Sequence, residues 1–190
     1  MAFDRAKRAE TLLIAASCLV LCITGPSPVH AEDSTKEPET HEALNTIGIN
    51  AALGLSFEDG PKVGGGGNVS YERELIPKDL QMELVVGFGT IDKSFKVPIG
   101  LLFTHAWVPN EVWEPDVGLG GTVTIERERN ASGGMDTTTR FGITFAGGTH
   151  IWLWGSHRRW GLGLTVVYTL QVTRGVSHEL FLAFGPSVRF

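Results

Sequence analysis

The chain has 190 residues, with 16 Lys+Arg against 21 Asp+Glu for a net charge of −5. This acidic balance argues against nucleic acid as a partner, and the length fits one domain. Its 2 cysteines, Cys18 and Cys22, sit near the start, so beyond them no disulfide, thiolate metal site or cysteine nucleophile is available.

Residues 1–31 read as a secretory signal. Arg5, Lys7 and Arg8 form a basic start, "TLLIAASCLVLCITG" is an apolar run, and "VHA" precedes a cut after Ala31. The run is short for a spanning helix, which needs about 20 apolar residues. A lipid anchor would require small residues before a cysteine, whereas Leu21 precedes Cys22. Residues 32–43, "EDSTKEPETHEA", are charged and lack apolar periodicity, so they read as a disordered acidic linker.

From residue 44 to 190 the chain alternates with a period of two, the signature of strands whose successive side chains point to opposite faces. Eight segments carry the pattern, each with one bulky apolar parity and one small or polar parity. "IGINAALGLSF" sets Ile47, Ile49, Leu53 and Leu55 against Gly48, Asn50, Gly54 and Ser56. "NVSYEREL" sets Val69, Tyr71 and Leu75 against Ser70, Glu72 and Glu74, and "LQMELVVGFG" sets Leu84, Val86 and Phe88 against Gln81 and Glu83. "FKVPIGLLFTHAW" puts Phe95, Ile99 and Phe103 opposite Lys96, Gly100 and Thr104. "WEPDVGLGGTVTIE" puts Val117, Leu119 and Ile125 opposite Glu114, Asp116, Thr122 and Glu126. "RFGITFAGGTHIWLW" separates Phe141, Ile143 and Phe145 from Arg140, Gly142, Thr144 and His150. The last two, from Trp160 to Val172 and from Glu179 to Phe190, alternate throughout, with Glu179 and Arg189 on the polar parity. Arg73 shares parity with Val69 and Tyr71, which points to snorkelling at an interface or to a bulge.

The faces can be assigned. A soluble barrel would enclose the bulky set and show water a surface rich in Gly and Thr. A membrane barrel turns the bulky set to lipid and packs small and polar residues into a narrow lumen. Glycine on the polar parity, aliphatic cover over nearly the whole opposite parity, and segments of about ten residues or more favour the membrane form. Closure is then required, because an open sheet leaves unpaired backbone groups in hydrocarbon. The expected fold is all-β: an eight-stranded antiparallel up-and-down transmembrane β-barrel.

Connections complete this reading. "GPKVGGGG" and "RERNASGGMDTTT" are long or glycine-rich and are expected to be outer loops, whereas "IPKD", "VPNEV" and "GSHRR" are compact and expected to be periplasmic turns. Trp107, Trp113, Trp152, Trp154 and Trp160 crowd around two of the compact turns. Indole favours the membrane–water interface, so all five are expected in a periplasmic girdle.

These features resemble the small outer-membrane β-barrel proteins of Gram-negative bacteria, on eight alternating strands, "DVGLGGTVTIE" and the closing "FLAFGPSVRF". The resemblance implies insertion by the barrel-assembly machinery, with Phe190 as the assembly signal, and outer-membrane lipids as the surroundings. The loops are shorter than those of adhesive or invasive members, which argues against an adhesin.

Catalytic chemistry has little support. His150, Glu114, Asp116 and Ser187 share the lumen parity, but buried charges must pair. The lumen residues Glu72, Glu74, Glu83, Lys96, Glu114, Asp116, Glu126, Arg140, Glu179 and Arg189 are therefore read as an ion-pair network. A lipid A-modifying enzyme would need a nucleophile and base in contact, yet adjacent Ser177 and His178 point to opposite faces. "VGGGGN" lacks the Lys-Ser/Thr of a phosphate loop, and the histidines lack metal-ligand spacing. The sequence implies no cofactor and no metal. The expected function is a non-enzymatic structural or surface-interaction barrel with a packed polar lumen; the alternatives are a lipid A-modifying enzyme and a narrow small-solute channel.

Overall fold

A computed structural model describes residues 44–190 except 59, 78, 108–111, 131, 155–158 and 174–175, together with the backbone but not the side chain of Trp154. The signal and linker expected over residues 1–43 lie outside the described residues. Eight strands run in chain order: β1 Asn45–Ser56, β2 Lys62–Ile76, β3 Leu80–Ile91, β4 Ser94–Ala106, β5 Trp113–Arg129, β6 Met135–Trp154, β7 Arg159–Gln171 and β8 Ser177–Arg189. Each pairs antiparallel with its sequence neighbours, and β8 closes onto β1. Asn45 and Phe190 exchange backbone hydrogen bonds of 2.9 Å, which fixes both ends of the barrel chain at one rim.

The sidedness is that of a barrel made for lipid. Large apolar residues such as Ile49, Leu53, Phe88, Phe103, Phe141 and Phe184 are exposed, whereas Thr144, Glu114, Gln171, Glu179 and Ser187 are buried. Among the described residues the buried hydrophobic ones are few: Ile91, Leu102, Ala106, Ala146, Trp152 and Ala183. In water this surface would be an aggregation hazard; in hydrocarbon it replaces no favourable hydration.

Two expected outer loops prove to be mostly strand. Residues 62–67 of "GPKVGGGG" lie inside β2, where Gly64–Gly67 pair with Gly54–Ala51 on one side and with Ile91–Phe88 on the other. Of "RERNASGGMDTTT", residues 127–129 and 135–139 extend β5 and β6, and between them Asn130 N–H bonds Gly134 O at 2.9 Å. Turn length therefore does not distinguish the two rims. The asymmetry is instead the β5–β6 hairpin, whose strands of 17 and 20 residues outreach the rest. The turn between β3 and β4 is Asp92–Lys93, with Asp92 at φ 58°, a left-handed conformation that Asp tolerates better than most residues.

Glycine in β2 is a steric requirement, although glycine usually signals a turn. A Cβ on Gly66 would lie 2.0 Å from the Phe88 carbonyl oxygen and 2.6 Å from Gly89 Cα, both backbone atoms that cannot step aside. The ladder also breaks where proline supplies no N–H. β3–β4 pairing skips the Val97–Pro98 positions, and β8–β1 pairing skips Gly185–Pro186. Arg73 lies in regular register opposite Asn45 and Met82; the only irregularity nearby falls between Glu74 and Ile76. Arg73 is exposed on the outward face, as snorkelling requires.

Gly66→Ala is expected to destabilise the barrel by about 1–3 kcal/mol or more, as overpacking against fixed backbone does. Gly65→Ala, whose added methyl would meet nothing closer than Ala52 O at 3.6 Å, is expected to be tolerated. Urea unfolding in lipid vesicles compares the two, and equal stabilities would refute the steric account.

Candidate functional site

Most of the buried polar side chains described converge in the lumen, where they divide into two clusters separated by a cavity. The cluster nearer the far rim, away from the termini, is centred on Lys96 of β4. Its Nζ binds Glu179 of β8 and lies 3.4 Å from Glu126 of β5. Arg140 of β6 continues the chain, with Nε 2.9 Å from Glu126 Oε2, though misaligned for a hydrogen bond, and Nη1 donating to Glu58 at 2.8 Å. Gln171 Nε2 donates to Glu179 at 2.8 Å.

The second cluster lies nearer the termini and is centred on Glu114 of β5. Arg189 and Trp152 Nε1, the latter at 2.8 Å, share its Oε2, while Gln81 Nε2 donates to Oε1 at 2.9 Å. Arg189 also lies over the Trp152 ring, 4.1 Å from its centroid, and His150 stacks on that ring at 5.3 Å. His150 Nε2 is 3.8 Å from Glu72.

The expected ten-residue network is thus two networks. Lys96, Glu126, Arg140 and Glu179 meet in one, Glu114 and Arg189 in the other, and Glu72 reaches the second through His150. Glu74 instead accepts the Leu44 backbone N–H at 3.2 Å. Glu83 opposes Glu72 across the β2–β3 ladder, and neither Glu83 nor Asp116 has a cation within ion-pair distance among the described residues. Sequence reasoning missed Glu58, Gln81 and Gln171. The two glutamines carry the inward parity and could have been included; Glu58 lies in a turn, where parity gives no guide.

Trp152 corrects the expected girdle. It is 4 % exposed and points into the lumen, because it shares the even parity of Thr144 and His150. Its indole N–H finds a carboxylate there instead of the interface. Trp113 and Trp160 are 47 % and 56 % exposed on the outward face at the rim of the termini. Trp107 meets His105 edge-on at 4.4 Å, and His105 Nδ1 is 2.6 Å from Asp79. Trp154 pairs with Trp160 through the backbone, while its side chain lies outside the described residues, as does His157. Phe190 is exposed at the same rim.

The lumen is polar as expected, but it is not filled along its whole length. Between the clusters lies a cavity of about 120 Å³, with a wall that includes Gly66, Gly87, Val85, Leu102, Ala146 and Phe181. Glycine and alanine leave room that no larger side chain from another strand fills. A ladder of hydroxyls, Thr122 to Thr144 at 2.5 Å and Thr144 to Thr169 at 3.1 Å, runs along one side. Ser177 and His178 part as their adjacency requires. Ser177 is buried and 3.5 Å from Arg140, while His178 Nδ1 contacts the Tyr168 hydroxyl at 2.5 Å on the outward face. Among the described residues, no group of three His, Cys, Asp or Glu side chains converges as a metal site.

No protein-family model matches the chain, and no curated protein matches it. Solved structures do match in fold. Neisserial surface protein A aligns with TM-score 0.59 at 14 % identity, over 78 % of this chain and 98 % of that one. Ail, the attachment invasion locus protein of Yersinia pestis, aligns with TM-score 0.58 at 14 % identity, over 79 % and 100 %. The outer-membrane enzyme PagL aligns with TM-score 0.50 at 10 % identity, over 72 % and 97 %. At such identities the likeness is one of fold: an eight-stranded antiparallel barrel like those of small Gram-negative outer-membrane proteins.

Removing one partner of a buried ion pair strands the other. Arg189→Met is expected to cost about 3–5 kcal/mol, and adding Glu114→Gln to it should recover most of that loss. Stability of the single and double variants in vesicles tests this, and simple additivity would refute direct coupling.

Proposed function

We propose that this chain is an integral outer-membrane barrel without enzymatic activity, serving a structural or surface-interaction role. The observation that carries the reading is the sidedness of the eight strands: every carboxylate on a strand has the inward parity, and the outward parity is apolar between its rims. Only a hydrocarbon surrounding makes that arrangement stable, and a closed ladder is the form such a sheet must take there. Residues 1–31 act as the export signal and residues 32–43 as a linker. The rim bearing the termini, Trp113 and Trp160 faces the periplasm, and the barrel-assembly machinery inserts the chain. The surface and attachment proteins of the same fold support the interaction role, although turns of about five residues leave this chain little extracellular structure to present.

The likeness to the outer-membrane enzyme PagL gives an enzymatic barrel some standing, and the one weighed from the sequence is a lipid A-modifying enzyme. Against it, Ser177 contacts Arg140 inside the wall while His178 contacts Tyr168 outside it, so the pair cannot share a proton. The cavity gives a channel some standing, and the ion-paired clusters on either side of it argue for a closed one.

Fractionation of cells expressing the full chain tests the proposal. The protein is expected in the outer membrane, with a mature mass beginning at Glu32, heat-modifiable gel mobility, and lipid A unchanged in mass whether the protein is present or absent. Recovery from the soluble periplasm would overturn the membrane reading, and an altered acyl pattern on lipid A would overturn the non-enzymatic one.

A further inference from the structure

The chain is acidic, yet its lipid-facing side is not. Along all eight strands the outward parity holds no carboxylate; its full charges are Arg73, Arg127 and Arg129. Glu72, Glu74, Glu83, Glu114, Asp116, Glu126, Glu128, Asp136 and Glu179 all fall on the other parity. Sorting so complete confers one electrostatic sign on the surface that meets the membrane.

The cations are concentrated at the far rim. Trp113 and Ile125 bound the apolar stretch of β5, and the twelve steps between them rise about 30 Å along the axis of a tilted strand, the thickness of the hydrocarbon core. Arg127 is the next outward residue and Arg129 the one after, so both stand at headgroup depth. Across the β4–β5 ladder Arg127 is opposite Phe95 and Glu128 opposite Ser94, which brings Lys93 of the adjoining turn next to Arg129. Across the β5–β6 ladder Arg127 is opposite the exposed Thr137, and Ile125 opposite the exposed Thr139.

The three cations are exposed, and no ion pair occupies them among the described residues. The nearby acids are engaged or turned away. Asp92 lies 3.6 Å from Lys62, Asp136 accepts from Asn130 at 3.2 Å, and Glu128 has the opposite parity to its two arginine neighbours.

We propose that Lys93, Arg127 and Arg129, with the hydroxyls of Thr137 and Thr139, form a docking site for the phosphate groups of a membrane lipid in the leaflet at the far rim. Arginine forks suit phosphate oxygens, the threonines add donors, and Phe95, Ile125 and Phe141 beside them present an apolar surface to the acyl chains. Charge complementarity selects a phosphorylated lipid over a neutral one. The inference rests on the membrane reading above.

The test folds the mature chain into phosphatidylcholine vesicles containing either a bisphosphorylated glycolipid or the same glycolipid after phosphate removal. Native mass spectrometry of the released protein then reads the retained lipid over a concentration series. The phosphorylated form should be retained preferentially. At about fivefold per cation, Lys93→Gln/Arg127→Gln/Arg129→Gln should weaken retention on the order of 100-fold, whereas Arg73→Gln, at the other rim, should leave it within about twofold. Heat-modifiable mobility checks that each variant is folded. Equal retention of both glycolipids, or an unchanged triple variant, would overturn the docking site alone. Failure of the unaltered chain to fold into phosphatidylcholine would overturn the membrane reading and this site with it.

Discussion

Backbone pairing in a medium without water is the constraint from which the rest of this structure follows. Each N–H and C=O in hydrocarbon needs a protein partner, and a sheet satisfies that only by closing on itself. Eight strands closed in sequence order leave a lumen too narrow for two full layers of side chains, so the inward parity must be small or must share space across the barrel. The glycines of β2 are the extreme case, since the backbone of β3 occupies the volume a methyl group would need. Pro98 and Pro186 mark the places where the ladder lapses, each on one side of its strand only.

Between the two rims, closure confines the charged groups to the interior and thereby imposes a second condition. Charges buried in a narrow lumen must find partners, since an isolated buried ion is far more costly than a paired one. Lys96 and Glu114 each gather partners from several strands, so each cluster ties together parts of the wall that are distant in sequence. Between them small residues, glycine and alanine, alternate with threonines and asparagines, and volume is left over. The barrel is held by two polar clusters with a cavity between them.

The fold was legible in the sequence because parity is a local property. Leu162, Leu164 and Val166 against Gly163 and Thr165 define two faces without reference to any other strand, and eight such runs imply closure. The loops were less legible because glycine carries two meanings: at Gly133, with φ 85°, it makes a turn, while at Gly66 it lets two strands approach. Trp152 was misplaced by its closeness in sequence to other tryptophans, when its even parity already put it beside His150 inside the wall. The division of the charged lumen into two clusters was not legible at all. It depends on the stagger between strands, through which Arg189 meets Glu114 and Lys96 meets Glu179, partners 75 and 83 residues apart. The cavity is likewise a property of summed volumes around the ring.

The sidedness of the wall is the claim on which the others rest, and it can be measured directly. With the first 31 residues removed the chain has no cysteine, so single cysteines can be placed along β7 from Leu162 to Val167, spin-labelled, and read for collision with oxygen dissolved in the bilayer. Oxygen accessibility should be high at Leu162, Leu164 and Val166 and low at Gly163, Thr165 and Val167. The opposite alternation, or none, would contradict that sidedness.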